Sequence, residues 1–597
     1  MSLGREPCTL DHEEEDFKHV VKRRSAGKFD DWPNEAGFEG LTEVRGPVEL
    51  KVTGSIPSWA AGTLYRTGPG GYNVENTPKG TFKTTHWFDG FAHTHRFEIF
   101  ADPDDPKGLV RVQYSSRHQA KDYVDAIRKT GRVPGLSFGQ RQDPCIGIFG
   151  KIMSVFKREE QRPAPGSENI CVTVHADMPG FTSSSEHKSL GHKGGNRRLY
   201  LATDASLIQE ISPETLEPIG LARQHSLHPL LKGPLSSAHA QRDPETGDLF
   251  NFNLDMGCRA TYRVFRTNAA NGTTDILATI SAPGLKPAYI HSFFLSPSFV
   301  ILCVPSSHIG YMGISVPWSG NVVDAIEPFD SSKLCKWFII DRRDGRGVVA
   351  TFESHAAFFF HSINSFEEHD GPAGVIDIFC DVIEYPSTDI IRAFEMDVLL
   401  HTKGKEDIYV KDEQRIRNCL QRIVRHRFRL PANKPGNFCP AESDKVLEIK
   451  SPHAGELPTI NPGYAARKYR YVYSLATYGY STLHDTIVKT DLSTHQTVCW
   501  RGPAGHTPGE AIFVPRPKQP GDVNGDNEKD EDDGVLLSVV LDGYGKTSYL
   551  VCLDAKTMEE LGRAICDWAI GHGFHGLHIE TVVPRKRCSN IGKPSLV

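Results

Sequence analysis

Four histidines stand in contexts that suit metal chemistry: His239 in "LSSAHAQRD", His291 in "AYIHSFFLS", His361 in "FFFHSINSFEE" and His575 in "GFHGLHIE". Each lies in a short strand-like run or at its end, beside aromatic or small residues. Neutral imidazole suits iron, and a catalytic metal needs open positions. Four imidazoles around Fe(II) leave two octahedral positions for oxygen and substrate. The gaps between them are 52, 70 and 214 residues, which excludes a local motif such as H-E-x-x-H. Taken singly, each could equally be a core histidine with a local hydrogen bond. His93 and His95 in "FAHTHRF" share one face of a strand, but a pair alone makes no site.

Ligand histidines usually donate their second ring N–H to a carboxylate, which fixes the tautomer. Acids embedded in apolar strands therefore matter. Glu456 in "AGELPTIN" and Glu510 in "TPGEAIFVP" each precede an apolar run. A buried acid without a partner is costly, so both need an explanation if buried.

Residues so far apart must be brought together by the fold. From about residue 45 the chain reads as short alternating runs cut by Gly, Pro, Asn and Asp, as in "RRLYLATDASLIQEIS", "SFVILCVPSS" and "KWFIIDRRDG". "RRDGRG" and "LDGYG" are hairpin turns. The best helical pattern is "DEQRIRNCLQRIVRHRFRL", residues 412–430, though its β-branched residues weaken it. Many short strands over this length fit an all-β fold, a propeller, whose innermost strands could each send one side chain to the axis. Residues 1–44 read as a polar, poorly ordered arm, and 45–597 as one domain. Residues 516–534, acidic and Gly/Pro-rich, read as a surface loop between two strands.

Composition excludes several classes. The 597 residues carry 39% hydrophobic and 24% charged side chains and a net charge of −6, with no sign of a nucleic-acid partner. The 13 cysteines are scattered singly with no C-x-x-C, which points to reduced thiols in an intracellular protein. The start lacks the apolar core of a secretory signal, and no run approaches about 18 apolar residues. The expected location is cytoplasmic, or peripheral on membranes or lipid bodies.

Nine collinear stretches resemble the carotenoid cleavage oxygenase family: "GTLYRTGPGGY", "HWFDGFAHTHRF", "SSAHAQRDPETGDLF", "YIHSFFLSPSFVIL", "FFFHSINSFEE", "GELPTINP", "PGEAIFVPRP", "EDDGVLLSVVLD" and "GFHGLH". The resemblance implies a seven-bladed β-propeller, with a few helices and loops capping one face and Fe(II) on its axis. It implies cleavage of a conjugated C=C bond by O2 into two carbonyl products. It assigns His239, His291, His361 and His575 as catalytic iron ligands. Glu456 would then support His361, and Glu510 would support His575. The third supporting acid, commonly Glu in the family, is here Asp204, so contact with His291 would need a bridging water or a shifted strand. Phe358–Phe360 would pack their strand, and Asn364–Glu368 would be turn residues.

Within the family, residues 34–72 and "HWFDGFAHTHRF" are most similar to fungal torulene-cleaving members, which make a long apocarotenal such as β-apo-4'-carotenal on the path to an acidic pigment. The same resemblance leaves open a stilbene-cleaving oxygenase and a retinoid isomerohydrolase. A non-catalytic propeller acting as an interaction platform is the alternative outside enzymes. Such a substrate needs a long apolar tunnel, with some of Phe293, Phe294, Phe358 and Phe359 as walls. It also lives in a bilayer. Phe149, Ile152, Met153 and Phe156 recur at helical spacing in "CIGIFGKIMSVFKRE" beside Lys151, Lys157 and Arg158, which suits a membrane-surface helix.

Overall fold

The computed structural model describes residues 10–101, 110–141, 164–181, 197–370, 374–401, 409, 412–430, 441–517 and 530–580. Among these the chain is mainly β, in a propeller-like arrangement. Five separate sheets of four or five strands follow one another in sequence, and a sixth sheet has ten strands. Within each of the five, most strands pair antiparallel with their sequence neighbours. The ten-stranded sheet joins early strands of the described chain to its last ones. Strand His575–Glu580 pairs with Gly62–Pro69, and Val48–Gly54 pairs with Glu560–Cys566.

The strand pattern follows from burial. Phe299–Val304 is buried at every position, which explains the unbroken apolar run "FVILCV". It packs Val300 and Leu302 towards Phe250, Phe252 and Tyr262 of the preceding sheet. Its other face sends Ile301 towards Trp337, Phe359 and Phe428. A strand sandwiched between two neighbouring sheets needs apolar residues on both faces, so alternation disappears. In the hairpin "DRRDGRG", Gly345 and Gly347 have φ of 71° and 68°. Asp341 accepts the N–H groups of Asp344 and Arg346 across that turn.

Three sequence expectations differ from the structure. Residues 412–430 form a short helix, Glu413–Asn418, capped by the Asp412 carboxylate, and then a strand, Arg422–Leu430. From Val424 the side chains alternate, and Arg425, Arg427 and Arg429 pair across the ladder with Asp381, Asp444 and Asp377. The basic residues that read as a helix face are therefore strand residues meeting acids. Residues 10–25 form a helix whose Val20 and Val21 pack on Ile416 and Leu420. Its Glu13 is buried against His495, and Asp16 meets His453, so hydrogen bonds from its acids help to hold this polar segment. Asn364–Glu368 belong to the long strand Phe358–Asp370 rather than to a turn. The Asn364 amide binds the backbone of Tyr464, Ala466 and Arg467, and Glu367 accepts from Ser296 Oγ and the Ser298 N–H.

Candidate metal centre

The four histidines lie in or beside the edge strands of four sheets, each at a ladder break or a strand end. His239 lies between Leu235–Ser236 and Gln241–Arg242, which both pair with Leu249–Asp255. Ser236 opposes Asn253 and Gln241 opposes Phe250, so the segment carrying His239 bulges from the sheet. His361 sits where register shifts between Phe359 and Ser362. His291 precedes the strand Phe294–Leu295, and His575 opens the strand His575–Glu580. Bulges and strand ends re-aim side chains, here away from the sheets and towards one point. Serine hydroxyls hold adjacent edges together: Ser237 Oγ donates to His291 O at 2.6 Å, and Ser292 Oγ donates to Phe360 O at 2.7 Å.

The candidate ligand atoms of His239, His291, His361 and His575 all lie within 4.8 Å of one another. The Nε2 atoms of His239 and His291 are 3.1 Å apart, as are those of His361 and His575. Three of the rings have a carboxylate at Nδ1. Glu456 Oε2 lies 2.5 Å from His361, Glu510 Oε1 lies 2.7 Å from His575, and Asp204 Oδ2 lies 2.7 Å from His291. Asp204 therefore reaches His291 without a bridging water. Its other oxygen accepts the Ala238 N–H, one residue before His239, and Tyr289 OH donates to Oδ2 at 2.8 Å. Tyr385 OH and the Leu457 N–H hold Glu456, and the Gly576 N–H holds Glu510. Among the described residues His239 has no carboxylate partner.

This donor set fits a metal ion on chemical grounds. Each carboxylate accepts an Nδ1–H, which leaves the Nε2 of His291, His361 and His575 as a bare lone pair. His361 and His575 then face each other at 3.1 Å with no proton to share. Such an arrangement repels unless a cation lies between the nitrogens. A metal–imidazole bond of about 2.0–2.1 Å, taken at a right angle, separates two nitrogens by about 3 Å. Burial also disfavours the charged form of His361 and His239. It lowers His361 to about 4 against the pull of Glu456, and it lowers His239 well below the usual value, aided by the other three rings. Burial alone would raise Glu456, but His361, Tyr385 and the Leu457 N–H outweigh it and hold the acid below its usual range.

An aromatic cluster adjoins the histidines. Phe360 lies 5.8 Å from the His291 ring, and Tyr289 lies 5.2 Å from Phe138. Phe88 is half-buried and touches Trp87, Phe138, Phe360, Phe394 and Phe574 at 4.9–5.9 Å. Of the four expected wall residues, only Phe358 belongs to this cluster. Phe293, Phe294 and Phe359 pack between sheets. The aromatic density of "HWFDGF" was the sequence signal for Trp87 and Phe88. His93 stacks on His118 and meets the His95 ring at a tilt, apart from the four. Phe149, Ile152, Met153 and Phe156 fall outside the described residues.

Residues 37–580 match the family profile described as RPE65, retinal pigment epithelial membrane protein. The chain is 48% identical over 589 residues to a carotenoid dioxygenase of Neurospora crassa, covering 95% of this chain and 94% of that one. It is 47% identical over 582 residues to a torulene dioxygenase of Gibberella fujikuroi, covering 96% and 98%.

The chain belongs to this family.

It is the carotenoid cleavage oxygenase family to which the sequence motifs point. The fold agrees. A single-site mutant of Synechocystis apocarotenoid oxygenase superposes with a TM-score of 0.66 at 22% identity, covering 92% of this chain and 99% of that one.

Proposed function

We propose that this family member is a non-haem Fe(II) dioxygenase that cleaves one conjugated C=C bond of a carotenoid, with torulene as substrate and a long apocarotenal as product. The observation that carries it is the four-imidazole centre, backed by three carboxylates and adjoining an aromatic cluster. Near-full-length similarity to carotenoid and torulene dioxygenases supports the substrate class. In the reaction the C=C bond breaks, both atoms of O2 are taken up, and two carbonyl groups form. Iron held by His239, His291, His361 and His575 would supply the redox chemistry for O2. The rest falls to the chain. Asp204, Glu456 and Glu510 orient three rings and keep their lone pairs inward. Phe88, Phe138, Phe360 and Phe574 would bind the polyene by dispersion and exclude water. Apolar walls cannot distinguish one polyene carbon from the next by hydrogen bonding, so tunnel depth would select the bond.

Two structural readings accompany this proposal. Seven blades are supported if the ten-stranded sheet counts as two. Val48–Leu50 pair with residues 112–114, while Lys51–Gly54 pair with residues 562–565, so one strand links two outer edges. A membrane-facing surface is supported by Tyr311, Ile314 and Trp318, which are 84%, 70% and 57% exposed in one short stretch, with Leu136 exposed nearby. Tyr and Trp favour the interface of a bilayer. This stretch adjoins the aromatic cluster: Ser137 binds Gly320 O, and the Val323 N–H binds Phe138 O. Among the described residues no helix is long and apolar enough to cross a membrane.

The test is metal analysis of protein purified without oxygen. About one iron per chain is expected, and His361→Ala should lose most of the iron and all turnover. Full iron and turnover in that variant would remove His361 from the ligand set.

A further inference from the structure

The motif "GTLYRTGPGGY" has so far supplied only a strand. Its Arg66 is 2% exposed, and a guanidinium cannot lose its proton in such a place. It must therefore find acceptors and a counter-charge. Nη1 donates to the backbone carbonyl of Glu510 at 2.8 Å and lies 3.8 Å from Glu510 Oε2. Nη2 reaches the carbonyl of Phe574 at 3.4 Å. In the ladder Arg66 opposes Gly576, and Thr67 opposes His575. The two glycines that flank the guanidinium leave it room: a Cβ on Gly509 or Gly573 would stand 3.1 Å from Nη2. Arg66 thus touches the residue preceding His575 and the acid that accepts the His575 Nδ1–H.

Charge gives a second, independent reason. Asp204, Glu456 and Glu510 bring three carboxylates to the rings of His291, His361 and His575. A divalent metal offsets two of them. Among the described residues Arg66 is the one arginine or lysine within ion-pair distance of any of the three.

We propose that Arg66 is a positioning residue that ties Glu510 to the His575 strand and supplies the fixed positive charge that balances the metal-loaded centre. This rests on the divalent-metal reading above. Arg66 acts through Glu510 and His575, without touching the metal.

The experiment loads the full-length protein with Co(II) and records its ligand-field spectrum and its retention against a chelator. Wild type, Arg66→Gln, Arg66→Lys and Gly573→Ala are compared, together with the thermal midpoint of each metal-free protein. Losing the outer partner of a metal ligand weakens binding by about 10–100-fold. Arg66 stands one contact further out, so Arg66→Gln should show a loss at the low end of that range and shifted bands. Arg66→Lys keeps the charge but not the fork, and should fall between Gln and wild type. Gly573→Ala leaves Arg66 in place but crowds it, and should shift the bands in the same direction by less. If Arg66→Gln fails to fold, the other two variants carry the test. An unchanged spectrum and retention in all variants would overturn the proposal, as would a lowered thermal midpoint with an unchanged spectrum. Failure of wild type to bind Co(II) would instead refute the metal reading itself.

Discussion

Three carboxylates decide how four imidazoles present their lone pairs, and they do so with different reach. Glu456 and Glu510 contact His361 and His575 directly. Asp204 is one methylene shorter than the glutamate common in the family, yet it contacts His291 at 2.7 Å. The strand geometry accounts for this, because Ser236 N–H binds Asp204 O and Ala238 N–H binds Asp204 Oδ1. The acid is thereby drawn to the histidine edge of the neighbouring sheet. Glu456→Gln or Glu510→Gln keeps shape but removes charge, and should cost about 10–100-fold in metal affinity or turnover. Asp204→Glu keeps an acceptor for the His291 N–H and should be tolerated far better than Asp204→Ala. Chelator competition and steady-state rates on the four variants check this. Equal damage from both Asp204 substitutions would show that the acid does not orient His291.

At the scale of elements, much was legible because strands carry their burial in their pattern. "SFVILCV" and "KWFIID" read as strands and are strands. The four histidines were legible as residues of short strands or strand ends, but spacing alone did not show their convergence, since bulges between Phe359 and Ser362 or around His239 leave no mark in composition. Residues 412–430 misled because arginines spaced for a helix face also suit a strand whose partners are Asp377, Asp381 and Asp444 on other strands. Local pattern cannot show a cross-strand partner. The same limit hid Tyr289 and Tyr385, whose hydroxyls meet acids 85 and 71 residues away. The stretch Gly310–Ser319 gives a prediction at this scale. Tyr311 and Met312 have φ of 49° and 56°, an unusual backbone that holds Tyr311 outward. Burying an apolar side chain of this size is worth roughly 1.5–3 kcal/mol. Ile314→Ser with Trp318→Ser should weaken liposome binding at least tenfold while sparing turnover on detergent-dispersed substrate. Unchanged sedimentation with liposomes would remove this surface from membrane contact.

The whole molecule buries many histidines in neutral form, and that sets its acid stability. Burial lowers His86, His175, His484, His572 and His578 to about 4 each. The unfolded chain takes up a proton on each near pH 6.5, whereas the folded protein does not until about pH 4. Stability should therefore be full above pH 6.5 and fall as pH drops towards 4, by up to about 1.4 kcal/mol per pH unit for each histidine. Urea midpoints of metal-free protein between pH 7.5 and 5 check this, and a flat profile would mean these rings accept protons in the folded state. The whole-molecule claim about function rests on product chemistry. The most direct measurement is mass spectrometry of the products formed when Fe(II)-loaded protein meets torulene and O2. One dominant long apocarotenal, cut near one end of the polyene, is the predicted result. Products from several bonds would contradict depth selection. Cleavage of resveratrol without cleavage of any carotenoid, or an isomerised alcohol without O2 uptake, would contradict the account itself.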